Sequence, residues 1–220
     1  MNAGSGATVR WGLVGVGFAI AYSPSYVNPI LRWVGADWAR RQGPPSVLLW
    51  NWLAVGVLFA FVLLVEKRRL SSIALTMPNW KDILWAVVFW VIATVASGFL
   101  NALVPLASTG GFQAILALPL PVIVAIILTT ATTEEILFRG YPIERLRELT
   151  GSIWLGVAIS FALFVVPHVR FFGPEWLVTN GVSVVLLYIL YVWRRNLWAT
   201  MTMHLLGNAL LLLPATGMVN

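Results

Sequence analysis

The chain has 220 residues, of which 60% are hydrophobic and 10% charged, with a net charge of +6 at pH 7. A soluble domain is typically about 45–50% apolar, so this composition excludes an ordinary soluble protein and predicts a polytopic membrane protein. The chain has no cysteine, which excludes disulfides and thiolate metal sites. Basic residues gather in the loops of membrane proteins, so we expect a lipid bilayer and no nucleic acid as partner.

Seven apolar runs follow one another: 11–34, 46–65, 82–106, 112–139, 151–167, 175–193 and 196–213. Each is near the roughly 20 residues that cross a bilayer as a helix. We predict an all-α bundle of about seven spanning helices, forming a single integral membrane domain over residues 1–220. Pro24 and Pro29 predict a kink or break in the first run. That run lacks a cleavage site and is predicted to be a retained helix.

Charge placement predicts the orientation, because basic loop residues favour the cytoplasm. With alternating crossings, four cations fall on one side: Arg32, Arg40, Arg41 and Arg170. Nine fall on the other: Arg10, Lys67, Arg68, Arg69, Lys81, Arg145, Arg147, Arg194 and Arg195. We therefore expect a multi-pass protein of the cell (plasma) membrane with a cytoplasmic N-terminus.

Apart from the charges of the loops, five ionisable residues are predicted to lie at membrane depth: Glu134, Glu135, Arg139, His168 and His204. A charge near the bilayer centre costs about 2.5–3.5 kcal/mol on insertion scales, so such residues usually mark a functional site or a structural ion pair. Glu135 precedes Arg139 by one helical turn, which predicts that Arg139 neutralises Glu135 and leaves Glu134 free. Alternatively, both glutamates share the arginine as a buried ionic staple.

Sequence spacing also predicts that polar residues of three helices meet at one depth. Gly151 is the centre of the turn between the fourth and fifth runs. Glu134 lies as many residues before Gly151 as His168 lies after it. His204 and Asn208 lie one turn apart on the last run, so both occupy one helix face. We expect these four side chains to converge within reach of the cytoplasm.

A carboxylate and a neutral imidazole that flank one water can generate a nucleophilic hydroxide. His204 and Asn208 can donate hydrogen bonds to the oxyanion of a tetrahedral intermediate. Glu134, His168 and His204 also match a zinc site with one open position, so a divalent metal is the alternative. A covalent serine mechanism is less favoured, since Ser160 has no evident role.

Three short motifs carry a resemblance: "EEILFRG" (134–140), "FVVPH" (164–168) and "HLLGN" (204–208). They resemble the EExxxR, FxxxH and HxxxN motifs of the CPBP intramembrane proteases, also called the Abi or CAAX prenyl protease family. The resemblance covers about residues 80–213. It implies a helix bundle around a cavity open to the cytoplasmic side and to lipid.

The resemblance also implies the role of each matching residue. Glu134 and His168 would activate water, and His204 and Asn208 would stabilise the oxyanion. Glu135, Arg139 and Phe164 would support the site. The expected activity is endopeptidase cleavage of a membrane-associated peptide or protein, with neither the substrate's prenylation nor the oligomeric state given by the sequence.

Two prolines depart from a regular helical pattern near these motifs. Pro142 removes a backbone donor to the carbonyl of Phe138 and predicts a bend. Pro167 precedes His168 and predicts an early end of the fifth helix.

Two other functions stay open at this point. One is a non-catalytic scaffold or bacteriocin-immunity protein of the same fold. The other is a proton-coupled transporter, which would use the buried acids and histidines as a relay. Such transporters usually contain structural repeats, and the sequence contains none that we detect.

Overall fold

The computed structural model describes residues 3–35, 43–103 and 110–218. The regular elements of these ranges are helices: α1 (Ala3–Trp33), α2 (Ser46–Ala60), α3 (Trp80–Leu103), α4 (Gly110–Leu116), α5 (Leu120–Glu134), α6 (Tyr141–Thr150), α7 (Ile153–Phe172), α8 (Trp176–Arg194), α9 (Leu197–Ala209) and α10 (Leu212–Ala215). A π-helical turn, Phe61–Val65, extends α2, and a second one, Glu135–Gly140, joins α5 to α6. A 3₁₀ helix, Leu70–Ile73, lies between α2 and α3.

Six segments of the described ranges are long and apolar enough to cross a membrane: Ser46–Val65, Trp80–Leu103, Leu120–Thr150, Ile153–Phe172, Trp176–Arg194 and Leu197–Ala215. The chain is therefore a polytopic helical bundle, as its composition predicts. The number of spans differs by one from the seven predicted, because α1 is not among them. Serine, tyrosine, asparagine and proline residues between positions 22 and 29 dilute the hydrophobicity of α1.

The fourth predicted run is not one helix. It divides into α4 and α5 at residues 117–119, where Pro119 caps α5 and Pro121 occupies its first turn. Proline fits the first turn of a helix because its missing N–H has no intrahelical partner there. The last three positions predicted for the third run, 104–106, lie outside the described residues.

The predicted breaks at helix-interior prolines do not occur. Helix α1 continues through Pro24 and Pro29, and α7 continues through Pro167 to Phe172. Pro24 cannot donate to the carbonyl of Ile20, and the hydroxyl of Ser23 donates to that carbonyl instead, at 2.9 Å. A local hydroxyl thus replaces the backbone donor that proline lacks, and the helix continues.

The span formed by α5, its π-turn and α6 lies at the centre of the bundle. It contacts α1, α2, α7 and α9, while α3 packs against α8 and α9 on one side. The main core surrounds this span and includes Phe138, Tyr141 and Ile143, all buried. Large apolar side chains such as Val95 and Phe99 are exposed on α3, as suits a surface in contact with acyl chains.

Ion pairs join the helices at one end of the bundle, which we call the basic end and define by Arg145, Arg147, Arg194 and Arg195. Arg145 donates to Glu66 at 2.6 Å, and Arg194 donates to Asp82 at 2.8 Å. Arg195 pairs with the buried carboxylate of Glu144. The pair of Arg145 connects α6 to the end of α2, that of Arg194 connects α8 to α3, and that of Arg195 connects the α8–α9 turn to α6. The helices are therefore held together at the basic end.

Candidate active site

Both histidines of the chain face the carboxylate of Glu134, the last residue of α5. The distance from Glu134 Oε2 to His168 Nε2 on α7 is 3.9 Å, and to His204 Nε2 on α9 it is 4.0 Å. The side chains of Glu134, His168 and His204 are 13%, 20% and 12% exposed. The structure therefore places these three residues of the sequence prediction around one partly accessible point.

Glu135 points away from this point into a charged cluster. Arg139 Nη1 donates to Glu135 Oε1 at 2.6 Å, and neither side chain is exposed. His204 Nδ1 contacts the same carboxylate oxygen at 2.7 Å. The guanidinium of Arg139 lies between the rings of Phe164 and Tyr188, with its Cζ 4.5 and 4.3 Å from their centroids. Arg139 thus compensates the charge of Glu135 and is itself stabilised by two aromatic faces.

The proton position on His168 follows from its neighbours. His168 Nδ1 lies 2.7 Å from the carbonyl oxygen of Phe164, which can only accept a hydrogen bond. Nδ1 must therefore carry a proton, and in the neutral ring Nε2 presents its lone pair toward Glu134. The imidazole lies between the rings of Phe164 and Trp176, at centroid distances of 4.2 and 4.7 Å. These two rings restrict its rotation.

The amide of Asn208 is held one turn beyond His204. Its Nδ2 donates to the hydroxyl of Thr130 at 3.1 Å, and that hydroxyl donates to the carbonyl of Ile126 at 2.8 Å. Thr130 lies one turn before Glu134 on α5. The Asn208 side chain is thereby placed beside the helix that carries Glu134, with a second amide N–H left for another acceptor.

Three residues that contact the site were not predicted from the sequence. Ser160, for which the sequence indicated no role, donates to the carbonyl of Phe138 and lies 2.9 Å from the hydroxyl of Tyr188. Thr130 and Trp176 were also missed. A threonine or tryptophan in an apolar helix is common in membrane proteins, so only the packing of the helices identifies these two.

The spacing of Glu134, His168 and His204 bears on the zinc alternative. Two ligands on one tetrahedral zinc, with bonds of roughly 2.0–2.2 Å, lie closer together than the 3.9 and 4.0 Å that separate Glu134 from the imidazoles. Within the described ranges, no group of three His, Asp or Glu side chains is arranged to hold a metal ion. These distances do not fit one shared zinc ion, and the zinc alternative stays a prediction.

Comparison with protein families identifies part of the chain. Residues 116–210 match a family model described as type II CAAX prenyl endopeptidase Rce1-like. Searches of curated proteins and of solved structures found no match. The matched segment lies within the core predicted at residues 80–213, and it contains Glu134, His168, His204 and Asn208. Residues 116–210 are therefore similar to the Rce1-like endopeptidases, and the resemblance to the CPBP intramembrane proteases is confirmed over this segment.

Proposed function

We propose that the chain is an intramembrane endopeptidase that hydrolyses a peptide bond of a membrane-associated peptide or protein. The observation that carries the proposal is the convergence of two imidazole Nε2 atoms on one carboxylate oxygen of Glu134, at 3.9 and 4.0 Å. Two hydrogen bonds of ~2.8 Å that meet at a shared water at roughly 90° span ~4 Å. The gap between Glu134 and His168 thus fits a water held between them.

Glu134 is the proposed general base. Its carboxylate takes a proton from the water while Nε2 of His168 accepts the second O–H and orients the oxygen. The hydroxide oxygen attacks the peptide carbonyl carbon. When the C–N bond breaks, the proton held by Glu134 passes to the leaving nitrogen, so the carboxylate is regenerated.

His204 and Asn208 are the proposed oxyanion donors. The Nδ1 proton of His204 is directed to Glu135, so Nε2 can donate only when the ring is an imidazolium. The carboxylate of Glu135 stabilises that positive charge at 2.7 Å. Asn208 would contribute the amide N–H that Thr130 leaves unused. Two such donors aimed at the developing charge are the usual requirement for amide hydrolysis.

We also propose an orientation of the protein in the membrane. The multi-pass protein would lie in the plasma membrane with its basic end in the cytoplasm, because basic residues favour that side. Arg10 on α1 lines one cavity with Glu66 and Arg145 of the basic end, so the N-terminus would lie on the same side. The site would then open toward the cytoplasm and toward lipid, where a membrane-associated substrate can enter.

The test compares cells that express the native chain, Glu134→Gln or Glu175→Gln, at equal protein levels. Glu175 is an exposed acid outside the spans and serves as the matched control. Mass spectrometry of membrane-associated peptides should detect cleavage products with the native chain and with Glu175→Gln. With Glu134→Gln the same products should be absent.

Cleavage that persists in Glu134→Gln would remove Glu134 as the base. A biological phenotype that survives simultaneous substitution of Glu134, His168 and His204 would instead support the non-catalytic scaffold or immunity function. The experiment distinguishes these two outcomes, because the first is detected as cleavage products and the second as a phenotype without cleavage products.

A further inference from the structure

Helix α7 contains a carbonyl that its own backbone cannot satisfy. Pro167 has no N–H, so the carbonyl of Leu163, one turn earlier, loses its intrahelical donor. Helix α7 nevertheless continues to Phe172. An unpaired backbone group in a membrane span is costly because lipid supplies no replacement donor.

The missing donor comes from another helix. The hydroxyl of Tyr26 on α1 donates to the carbonyl oxygen of Leu163 at 2.8 Å. These two residues are 137 positions apart in the chain. The side chains of Tyr26 and Leu163 both pack against the main core. The bond therefore joins α1 to α7 at the turn where α7 lacks its own hydrogen bond.

The same turn carries His168. Pro167 immediately precedes His168, and the carbonyl that fixes its Nδ1 proton belongs to Phe164, the residue after Leu163. A helix that lacks one backbone bond at proline can bend there, and a bend would displace every residue that follows. The 3.9 Å gap between His168 Nε2 and Glu134 thus depends on what holds this turn.

We propose that Tyr26 is a positioning residue that sets the place of His168 relative to Glu134 by supplying the hydrogen bond that Pro167 removes. Tyr26 lies outside the matched segment 116–210, so α1 completes the geometry of a site that the other helices build. The effect of Tyr26 on catalysis rests on the proposed function, whereas its effect on the position of His168 does not.

The structural test uses the full chain purified in detergent with ¹⁵N-labelled histidine. The chain has 2 histidines, so imidazole nitrogen signals can be assigned with His168→Asn and His204→Asn variants. Tyr26→Phe should shift the His168 signals more than the His204 signals. It removes one hydroxyl and keeps the ring that packs on the core.

A second substitution separates positioning from general destabilisation. Pro167→Ala gives residue 167 a backbone N–H for the Leu163 carbonyl, so in its presence Tyr26→Phe should no longer shift the His168 signals. Pro142→Ala restores a donor to the carbonyl of Phe138 instead, and should leave the effect of Tyr26→Phe unchanged. If Tyr26→Phe leaves His168 unmoved, or if Pro142→Ala suppresses its effect as well as Pro167→Ala does, the proposal is overturned.

Activity provides an independent readout on a peptide that the native chain is found to cleave. A displacement of about 1 Å in a catalytic group can cost up to about a hundredfold in rate, so Tyr26→Phe should lower kcat about tenfold or more while KM changes little. Pro167→Ala should restore kcat. If the native chain cleaves nothing, the proposed function fails while the NMR test of Tyr26 still stands; if cleavage occurs and Tyr26→Phe leaves kcat unchanged, the positioning role fails alone.

Discussion

The hydroxyl of Ser160 on α7 donates to the carbonyl oxygen of Phe138, the carbonyl that Pro142 leaves without a backbone donor. This bond connects α7, which carries His168, to the π-turn that carries Glu135 and Arg139. It is buried, and Ser160 also lies 2.9 Å from the hydroxyl of Tyr188. A proline that interrupts one helix thus creates an attachment point for another.

We expect Ser160→Ala to lower the free energy of unfolding by about 1–3 kcal/mol, because a buried carbonyl would be left unpaired. The measurement is thermal or denaturant unfolding in detergent. Ser97→Ala is the control, since the hydroxyl of Ser97 makes only a long contact of 3.5 Å with Ser183. Equal effects of the two substitutions would contradict the claim that the hydrogen bond to the Phe138 carbonyl stabilises the fold.

Removal of the charge of Arg139 should be much more damaging than removal of an exposed arginine. Arg139→Met leaves Glu135 buried with only His204 to compensate it, and breaking a buried pair in this way costs about 3–5 kcal/mol. Arg68→Met removes a pair with Glu148 in which the arginine side chain is 39% exposed. Although the hydrogen bond to Glu148 raises the pKa of Arg68, exposed pairs contribute below about 1 kcal/mol. Unfolding of both variants under one condition tests this order.

Helix α1 approaches the central span too closely for a side chain at Gly17. A Cβ there would lie 1.9 Å from the hydroxyl of Tyr141, which is itself held by Glu66 at 3.0 Å. We expect Gly17→Ala to destabilise the protein by about 1–3 kcal/mol, as overpacking does. Gly15→Ala on the same helix has nothing within 4 Å of its new Cβ and should be neutral or slightly stabilising. A neutral Gly17→Ala would show that α1 can move away from α6.

The ring of Trp176 stacks on His168 and should influence catalysis more than stability. Stacked aromatic pairs contribute about 0.5–1.5 kcal/mol, so Trp176→Leu should lower kcat/KM roughly three- to tenfold. Trp154→Leu is the matched control, because Trp154 is 63% exposed on the same bundle. The two variants would be compared on one peptide that the native chain cleaves. An equal loss in both would mean that stacking does not orient His168.

The zinc alternative can be measured directly. Because no metal-holding group of three His, Asp or Glu side chains occurs in the described part of the chain, we expect hydrolysis to survive chelators and purified protein to carry substoichiometric zinc. Elemental analysis of the native chain and of His168→Ala tests this expectation. Stoichiometric zinc that disappears in His168→Ala would replace the glutamate–water mechanism with a metal-based one.

Much of this architecture could be predicted from hydrophobicity alone. The apolar runs predicted a helical membrane bundle, and symmetric spacing about Gly151 placed Glu134 and His168 at one level. Proline was misjudged, because a single sequence shows the missing N–H and does not show the hydroxyl that replaces it. Ser23 is next to Pro24 in sequence, but Ser160 and Tyr26 reach their carbonyls from other helices. Such partners depend on helix packing, which spacing along the chain does not specify.

The π-helical turn Glu135–Gly140 has a consequence for the tolerance of this chain to insertions and deletions. The backbone N–H of Tyr141 donates to Ile136, five residues back, so the turn holds one residue more than an α-helical turn. Five residues of a π-turn advance about as far round the helix axis as four residues of an α-helix, so loss of one residue between Glu135 and Arg139 would restore ordinary pitch and nearly preserve the relative orientation of α5 and α6. The same loss inside α5 or α6 would rotate one part of the span against the other by about 100°. A one-residue gap should therefore be less harmful between Glu135 and Arg139 than in the helices on either side.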